Sequence, residues 1–160
     1  MQRGMNITKV FISHKKEDQL RALLVKSALE EKGVSSYLDV LDDEIASGGK
    51  ALTEHIKANL NSCTDLIVVM TEFTKKSWWV PFEIGMSAQK NMPTASFLSE
   101  NVELPDYLSY WPRLKNVNDI ATYVDVRKSF ENSVAKHYGL SSVEEIDTHA
   151  FYQELKRKLR

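Results

Sequence analysis

The segment Ser77-Trp78-Trp79-Val80-Pro81-Phe82-Glu83 puts two adjacent tryptophans, a proline and a carboxylate within seven residues. It follows the polar run Thr74-Lys75-Lys76 and continues into Ile84-Gly85-Met86-Ser87-Ala88. Proline suits the first turn of a helix, where its missing N–H would go unpaired anyway, so Pro81 marks a helix start. Glu83 is then expected in or near that first turn, where the helix dipole favours an ionised carboxylate. An acid beside large flat rings, at a strand-to-helix junction, suits the binding of a planar cation. A plainer role fits the same residues. Tryptophans anchor cores and interfaces, and an acid in a first turn is often only a partner for the dipole. The segment alone leaves both readings open.

The elements that must position it alternate in period. Val10-Phe11-Ile12 is a short apolar run ending at Ser13-His14. From Lys16 to Lys32 the spacing turns helical, with Leu20, Leu23, Leu24, Ser27 and Ala28 on one predicted face. Gly33 is a natural stop. Residues 34–38 read as a second strand closed by Asp39, followed by an acidic loop, Asp42-Asp43-Glu44-Ile45-Ala46-Ser47-Gly48-Gly49. Leu52, Ile56, Leu60 and Cys63 line a second helix. Leu66-Ile67-Val68-Val69-Met70 is uniformly apolar, as a central parallel strand buried on both faces should be. The Trp/Glu segment opens a third helix to about Lys90, and residues 94–98 suit a fourth strand. Residues 100–118, with Pro105, Tyr107, Tyr110, Trp111 and Pro112, fit either a short helix or an irregular loop. Residues 121–126 are expected as a fifth strand, and Phe130, Val134 and Tyr138 as a further helix ended by Gly139. Ser142 with Glu145 has the spacing of a capping box. The basic end, Lys156-Arg157-Lys158-Leu159-Arg160, suits a solvated last helical turn.

Alternating strands and helices predict an α/β domain with a parallel sheet and right-handed crossovers. Ligands of such sheets sit outside the carboxyl ends of the strands. There the first strand delivers Ser13 and His14, the second Asp39 and the Gly48-Gly49 loop, and the third Thr71, Glu72 and the Trp78/Trp79/Glu83 segment. The set has carboxylates, hydroxyls and rings. It lacks metal-ligand spacing, a GxxxxGK[ST] phosphate loop and a GxGxxG fingerprint, so a metal-free site is expected. His14 reads as a base or a structural hydrogen-bonder, Asp39 as a ligand contact or a turn former, and Ser47 as a ligand contact or a helix cap.

Composition narrows the class. The chain has 160 residues, 42% of them apolar, enough for one domain with a substantial core. Its 21 basic and 22 acidic residues give no bulk attraction to nucleic acid. A lone Cys63 argues against a disulfide framework and fits a reducing compartment. No apolar run reaches the roughly 18–20 residues of a membrane span, and the first residues lack a signal-peptide core. A cytoplasmic protein is expected.

Three blocks carry a family resemblance. Lys9-Val10-Phe11-Ile12-Ser13-His14, followed by Asp18, resembles the first-strand box of Toll/interleukin-1 receptor (TIR) domains. Residues 34–39, with the loop to Gly49, resemble their second strand and BB loop. Ser77-x-Trp79-x-x-x-Glu83 matches the S-x-W-x-x-x-E pattern that opens their third helix. The resemblance spans roughly residues 8–135 and implies a flavodoxin-like, five-stranded parallel sheet with helices on both faces. It divides the chain into a TIR domain, 1–135, and a C-terminal helical extension, 136–160.

Some TIR domains are self-assembling interaction modules; others cleave NAD+ between nicotinamide and ribose. For the enzymatic branch the resemblance implies Glu83 as the catalytic residue and NAD+ as substrate, with no cofactor. Phe11, Ser13 and His14 would border the ribose and nicotinamide, Asp39 and Ser47 would contact the ADP-ribose part or position the BB loop, Trp79 would stack on nicotinamide or shape the pocket wall, and Ser77 would be among the substrate-binding residues. An acidic BB loop with Gly48-Gly49, unlike the proline-bearing loops of many receptor adaptors, favours this branch. The product would be ADP-ribose or a cyclic isomer, in the manner of bacterial antiphage signalling. Self-association through the BB loop and a separate sensor or effector protein are expected partners. The rival readings are a non-catalytic scaffold and a nucleotide sensor that binds without cleaving.

Overall fold

Five strands, β1 (Lys9–Lys15), β2 (Ser35–Leu41), β3 (Asp65–Met70), β4 (Thr94–Leu98) and β5 (Arg113–Leu114), form one sheet in the order β2-β1-β3-β4-β5. Every neighbouring pair is parallel. The computed structural model describes residues 8–41, 49–75, 79–98, 102–104, 110–138 and 147–160, with the backbone alone at 39–41, 49–52, 74–75, 79–82, 89 and 132–138. The helices are α1 (Gln19–Glu31, after a 3-10 turn at Lys16–Asp18), α2 (Gly49–Asn61), α3 (Glu72–Lys75), α4 (Trp79–Gln89), α5 (Val117–Tyr138) and α6 (Thr148–Lys158). The chain runs from β1 outward to β2, then crosses back to β3 and on to β5. The strand order therefore reverses between β1 and β3, the switch point at which open α/β sheets bind ligands. The expected flavodoxin-like sheet is the observed one.

Two apolar layers sandwich the sheet, sorted by the period of two along each strand. Val10, Ile12, Ile67, Val69, Ala95 and Phe97 meet α1, α5 and α6. Phe11, Leu66, Val68 and Met70 instead meet Leu60 of α2 and Ile84 of α4. All six residues of β3 are buried, as a central strand covered on both faces requires.

Two local expectations are overturned. Helix α1 does not bury Leu20, Leu23 and Leu24, which are 80%, 40% and 53% exposed. It buries Ala22, Val25, Ala28 and Leu29, a stripe whose alanines let the helix lie close on the sheet. Residues 121–126 are not a strand but the second and third turns of α5. Ile120, Tyr123, Val124 and Arg127 are buried at helical spacing. The β-branched and aromatic content there is overridden by the packing of that face. Asn116 starts the helix by accepting from Asp119 N–H at 2.9 Å. The true β5 is two residues long and lies just upstream.

Helix ends follow local rules. Gly33, at φ 74°, ends α1, with Gly33 N–H donating to Glu30 O and Val34 N–H to Leu29 O, both at 2.9 Å. Asp147 caps α6 by accepting from Ala150 N–H at 3.0 Å, and Lys156, Arg157 and Lys158 fill its last turn as expected. The capping-box expectation at Ser142 and Glu145 falls outside the described residues.

A polar cluster ties α5 to the sheet at the amino end of β3. Asp65 is fully buried and accepts from Tyr123 Oη at 2.6 Å, Arg127 Nε at 2.9 Å and Thr64 Oγ1 at 2.6 Å. Arg127 also lies 3.7 Å from Glu131, to which Thr8 donates a hydrogen bond. Burial opposes the Arg127 charge most, but Asp65, together with Tyr123 and Glu131, outweighs it and holds the guanidinium above its ordinary range. Burial, reinforced by Asp65, pushes the Tyr123 hydroxyl well up. Removing one partner of a buried pair costs more than the pair contributes, because the survivor is left uncompensated. Arg127→Met is expected to lower unfolding free energy by about 3–5 kcal/mol, measured by urea denaturation.

Burial also raises the Tyr152 hydroxyl to about 12. An unfolded tyrosine ionises near pH 10. The stabilisation from keeping Tyr152 neutral is therefore complete below about pH 10 and is lost as pH rises from there towards about 12. Between those values Tyr152→Phe is expected to flatten the fall of stability by up to about 1.4 kcal/mol per pH unit, read from denaturation curves at stepped pH.

Candidate active site at the carboxyl edge of the sheet

Glu83 is the fifth residue of α4, because the helix begins at Trp79. Pro81 lies in the first turn, and Glu83 is just past it, near the first turn as expected, where the dipole still acts but more weakly. What distinguishes it is burial: the Glu83 residue is 0% exposed. A carboxyl so far from water is expensive to place, so it is held by partners, as Asp65 and Asp18 are, or kept where chemistry needs it. Its neighbour Ile84 packs in the cluster containing Phe11, Val68 and Met70, and α4 lies over β3 and β4, beside the switch point.

Strand alternation sorts the first-strand candidates. Phe11 is on the α4 side, and Ser13, two residues on, shares that face. Ser13 is fully buried, and its hydroxyl has no hydrogen-bond partner among the described residues. His14, also fully buried, follows Val10 and Ile12 onto the face covered by α1 and α5. The structure thus brings Phe11, Ser13 and Glu83 to one side of the sheet and sets His14 on the other. The backbone of Asp39 pairs with Ser13 across β1 and β2, near the carboxyl end of both strands. Trp79 is the first residue of α4, with only its backbone described. Ser47 and Ser77 lie outside the described residues.

A second buried acid holds this edge together. Asp18, 5% exposed in the turn after β1, accepts from Thr71 Oγ1 at 2.6 Å, just beyond β3. The same Thr71 oxygen accepts from Phe73 N–H at 3.1 Å and so caps α3. The exits of β1 and β3 are thereby joined across the switch point. Thr71 belongs to the expected edge and Asp18 to the first-strand box, but their pairing over 53 positions had no local signal.

A groove of about 510 Å³ between α5 and α6 is lined by Ser129, Phe130, Ala150, Gln153, Glu154 and Arg157. Its charged pair, Glu154 and Arg157, is satisfied internally at 2.7 Å, and it lies on the α5/α6 side of the sheet, not with Glu83. Among the described residues, no group of three His, Cys, Asp or Glu side chains is arranged to hold a metal. No described helix is long and apolar enough to cross a membrane.

The sheet order and a buried carboxyl beside the switch point define a flavodoxin-like α/β protein with its candidate site at the carboxyl edge. A sequence model of the TIR domain matches residues 10–138, and the chain belongs to the TIR-domain family. It is 29% identical over 79 residues to a Bacillus cereus (strain MSX-D12) protein named "Probable 3' cyclic ADP-D-ribose synthase ThsB'". That match takes in 48% of this chain and spans 41% of the relative's length.

Thr71→Val keeps the side-chain shape but removes the donor to Asp18. It is expected to lower stability by about 1–3 kcal/mol, whereas Thr71→Ser stays close to wild type, both read by urea denaturation.

Proposed function

We propose that this TIR-domain protein is an NAD+ nucleosidase in which Glu83 is the catalytic carboxylate. The observation that carries the reading is the fully buried Glu83 on α4, on the same side of the sheet as Phe11 and Ser13. The relative named as a probable cyclic ADP-ribose synthase supports the same substrate class.

The chemistry needs little more than a well-placed acid. Nicotinamide leaves from a pyridinium, so cleavage of the ribose–nitrogen bond returns the electron pair to nitrogen and releases a neutral molecule. No general acid is required for departure. Positive charge builds on the ribose as an oxocarbenium-like centre, which a nearby carboxylate stabilises as in glycoside hydrolysis. Low polarity around a buried carboxylate strengthens that attraction. Capture by water gives ADP-ribose and a proton; capture by a nucleophile within the ADP-ribosyl group gives a cyclic isomer.

Phe11 and Ser13 border the ribose and nicotinamide side, and His14 supports the strand end from the opposite layer. Trp79 and Ser77 shape the pocket at the start of α4, and Asp39 and Ser47 contact the ADP-ribose part. NAD+ is substrate, with no resident cofactor. Signalling in antiphage defence, self-association through the BB loop, and a separate sensor or effector protein complete the reading.

The test is mass-resolved chromatography of NAD+ incubated with concentrated protein, beside Glu83→Gln shown to be folded by its thermal transition. Nicotinamide release is expected to fall by about 10²-fold or more in the variant. The co-product distinguishes hydrolysis from cyclisation. Equal release by both proteins would remove Glu83 from the chemistry. NAD+ bound but intact would make the protein a nucleotide sensor, and NAD+ neither bound nor cleaved would make it a scaffold.

A further inference from the structure

We infer that Ser87 and Thr94 are positioning residues for Glu83, a reading that rests on the catalytic role proposed above. Ser87 lies one helical turn beyond Glu83 on the same face of α4, and both are fully buried. The Ser87 hydroxyl donates to Ile84 O at 2.8 Å and lies 3.1 Å from the hydroxyl of Thr94, the first residue of β4. Thr94 Oγ1 in turn donates to Met92 O at 2.9 Å. Thr94 is 2% exposed, so these contacts do not compete with water.

The backbone closes the same clamp. Asn91, at φ 52°, turns the chain out of α4, and Met92 N–H donates to Ser87 O at 2.9 Å. Pro93 follows and cannot continue a helix. The far side is held by α6, whose Tyr152 hydroxyl accepts from Thr94 N–H at 2.9 Å. Ser87 is therefore tied through both its carbonyl and its hydroxyl to the two ends of the turn from α4 to β4. A slide or rotation of α4 over the sheet must break those ties. Each hydroxyl carries one proton, so the Ser87–Thr94 hydrogen bond forms when one of the two turns from its carbonyl, Ile84 O or Met92 O, towards the other. Losing either hydroxyl removes the side-chain tie between α4 and β4, with Met92 O keeping the Tyr152 hydroxyl as a donor at 3.4 Å, and releases the rotational setting of α4. Because Glu83 is one turn away, that release appears as misplacement of its carboxyl. Misplacement of a reacting group by about 1 Å can cost 10²-fold in rate.

The experiment compares wild type, Thr94→Val, Thr94→Ser and Ser87→Ala as full chains. Nicotinamide release is followed against NAD+ concentration. The Glu83 carboxyl resonance is followed by 13C NMR and assigned by its absence in Glu83→Gln. In Thr94→Val, kcat is expected to fall between about tenfold and about a hundredfold with KM within about twofold, and the Glu83 resonance to move. Thr94→Ser, which restores the hydroxyl, is expected to return both to wild type and so assigns the effect to the hydroxyl; a merely structural loss would lower stability without lowering kcat at unchanged KM or moving the Glu83 resonance. Should Thr94→Val fail to fold, Ser87→Ala tests the same pair from the helix side. Wild-type kcat and an unmoved Glu83 resonance in a folded hydroxyl-deleted variant would overturn the inference. If wild type itself releases no nicotinamide, the catalytic reading fails separately, and the resonance alone decides whether the pair positions Glu83.

Discussion

The carboxylate of Asp65 is the constraint on which the rest of the structure hangs. It stands at the amino end of the central strand, fully out of water, where an unpartnered charge would cost several kcal/mol. Its partners come from two places: Thr64 in the preceding turn, and Tyr123 with Arg127 one turn apart on α5. Satisfying it fixes both the rotation and the axial position of α5 against β3. From there, edge-on ring contacts carry the registration to α6, since Tyr123 and Phe130 both meet Phe151 at near right angles. Tyr152, the next residue on α6, then reaches the first residue of β4.

The two ends of the sheet divide the work. The amino end holds the Asp65 cluster, whose charges and hydroxyls are joined by short hydrogen bonds. The carboxyl end holds Glu83, Ser13 and the Asp18–Thr71 pair, where the strand order reverses and neighbouring exits splay apart. A domain stabilised at one end can carry a buried acid at the other. The contacts of Tyr152, Thr94 and Ser87 also lie at the amino end, and α4 runs from there to Glu83.

Much of this was legible in the sequence because it is written locally. The uniformly apolar run 66–70 identified the central strand, Gly33 the end of α1, and Pro81 the first turn of α4. Those features depend on backbone sterics and on a strand covered on both faces. The alternation of strands and helices then left few topologies, because crossovers are right-handed. The candidate edge was also readable, since strand ends in a parallel sheet converge on one side. Residues 121–126 misled because their β-branched and aromatic side chains suit a strand locally, while their burial follows a helical period.

The sequence by itself determined the class of fold, the order of its main elements and the carboxyl edge as the candidate site. These rest on periodicity and chain connectivity, which are properties of short segments. Only the tertiary structure decided which face of α1 is buried, that His14 lies across the sheet from Glu83, and that Asp65 pairs with residues about 60 positions away. A helix with apolar residues on two faces has no local preference between them. A polar side chain likewise carries no mark of its distant partner. Both choices are made by whichever packing leaves the fewest buried polar groups unsatisfied and the least apolar surface in water.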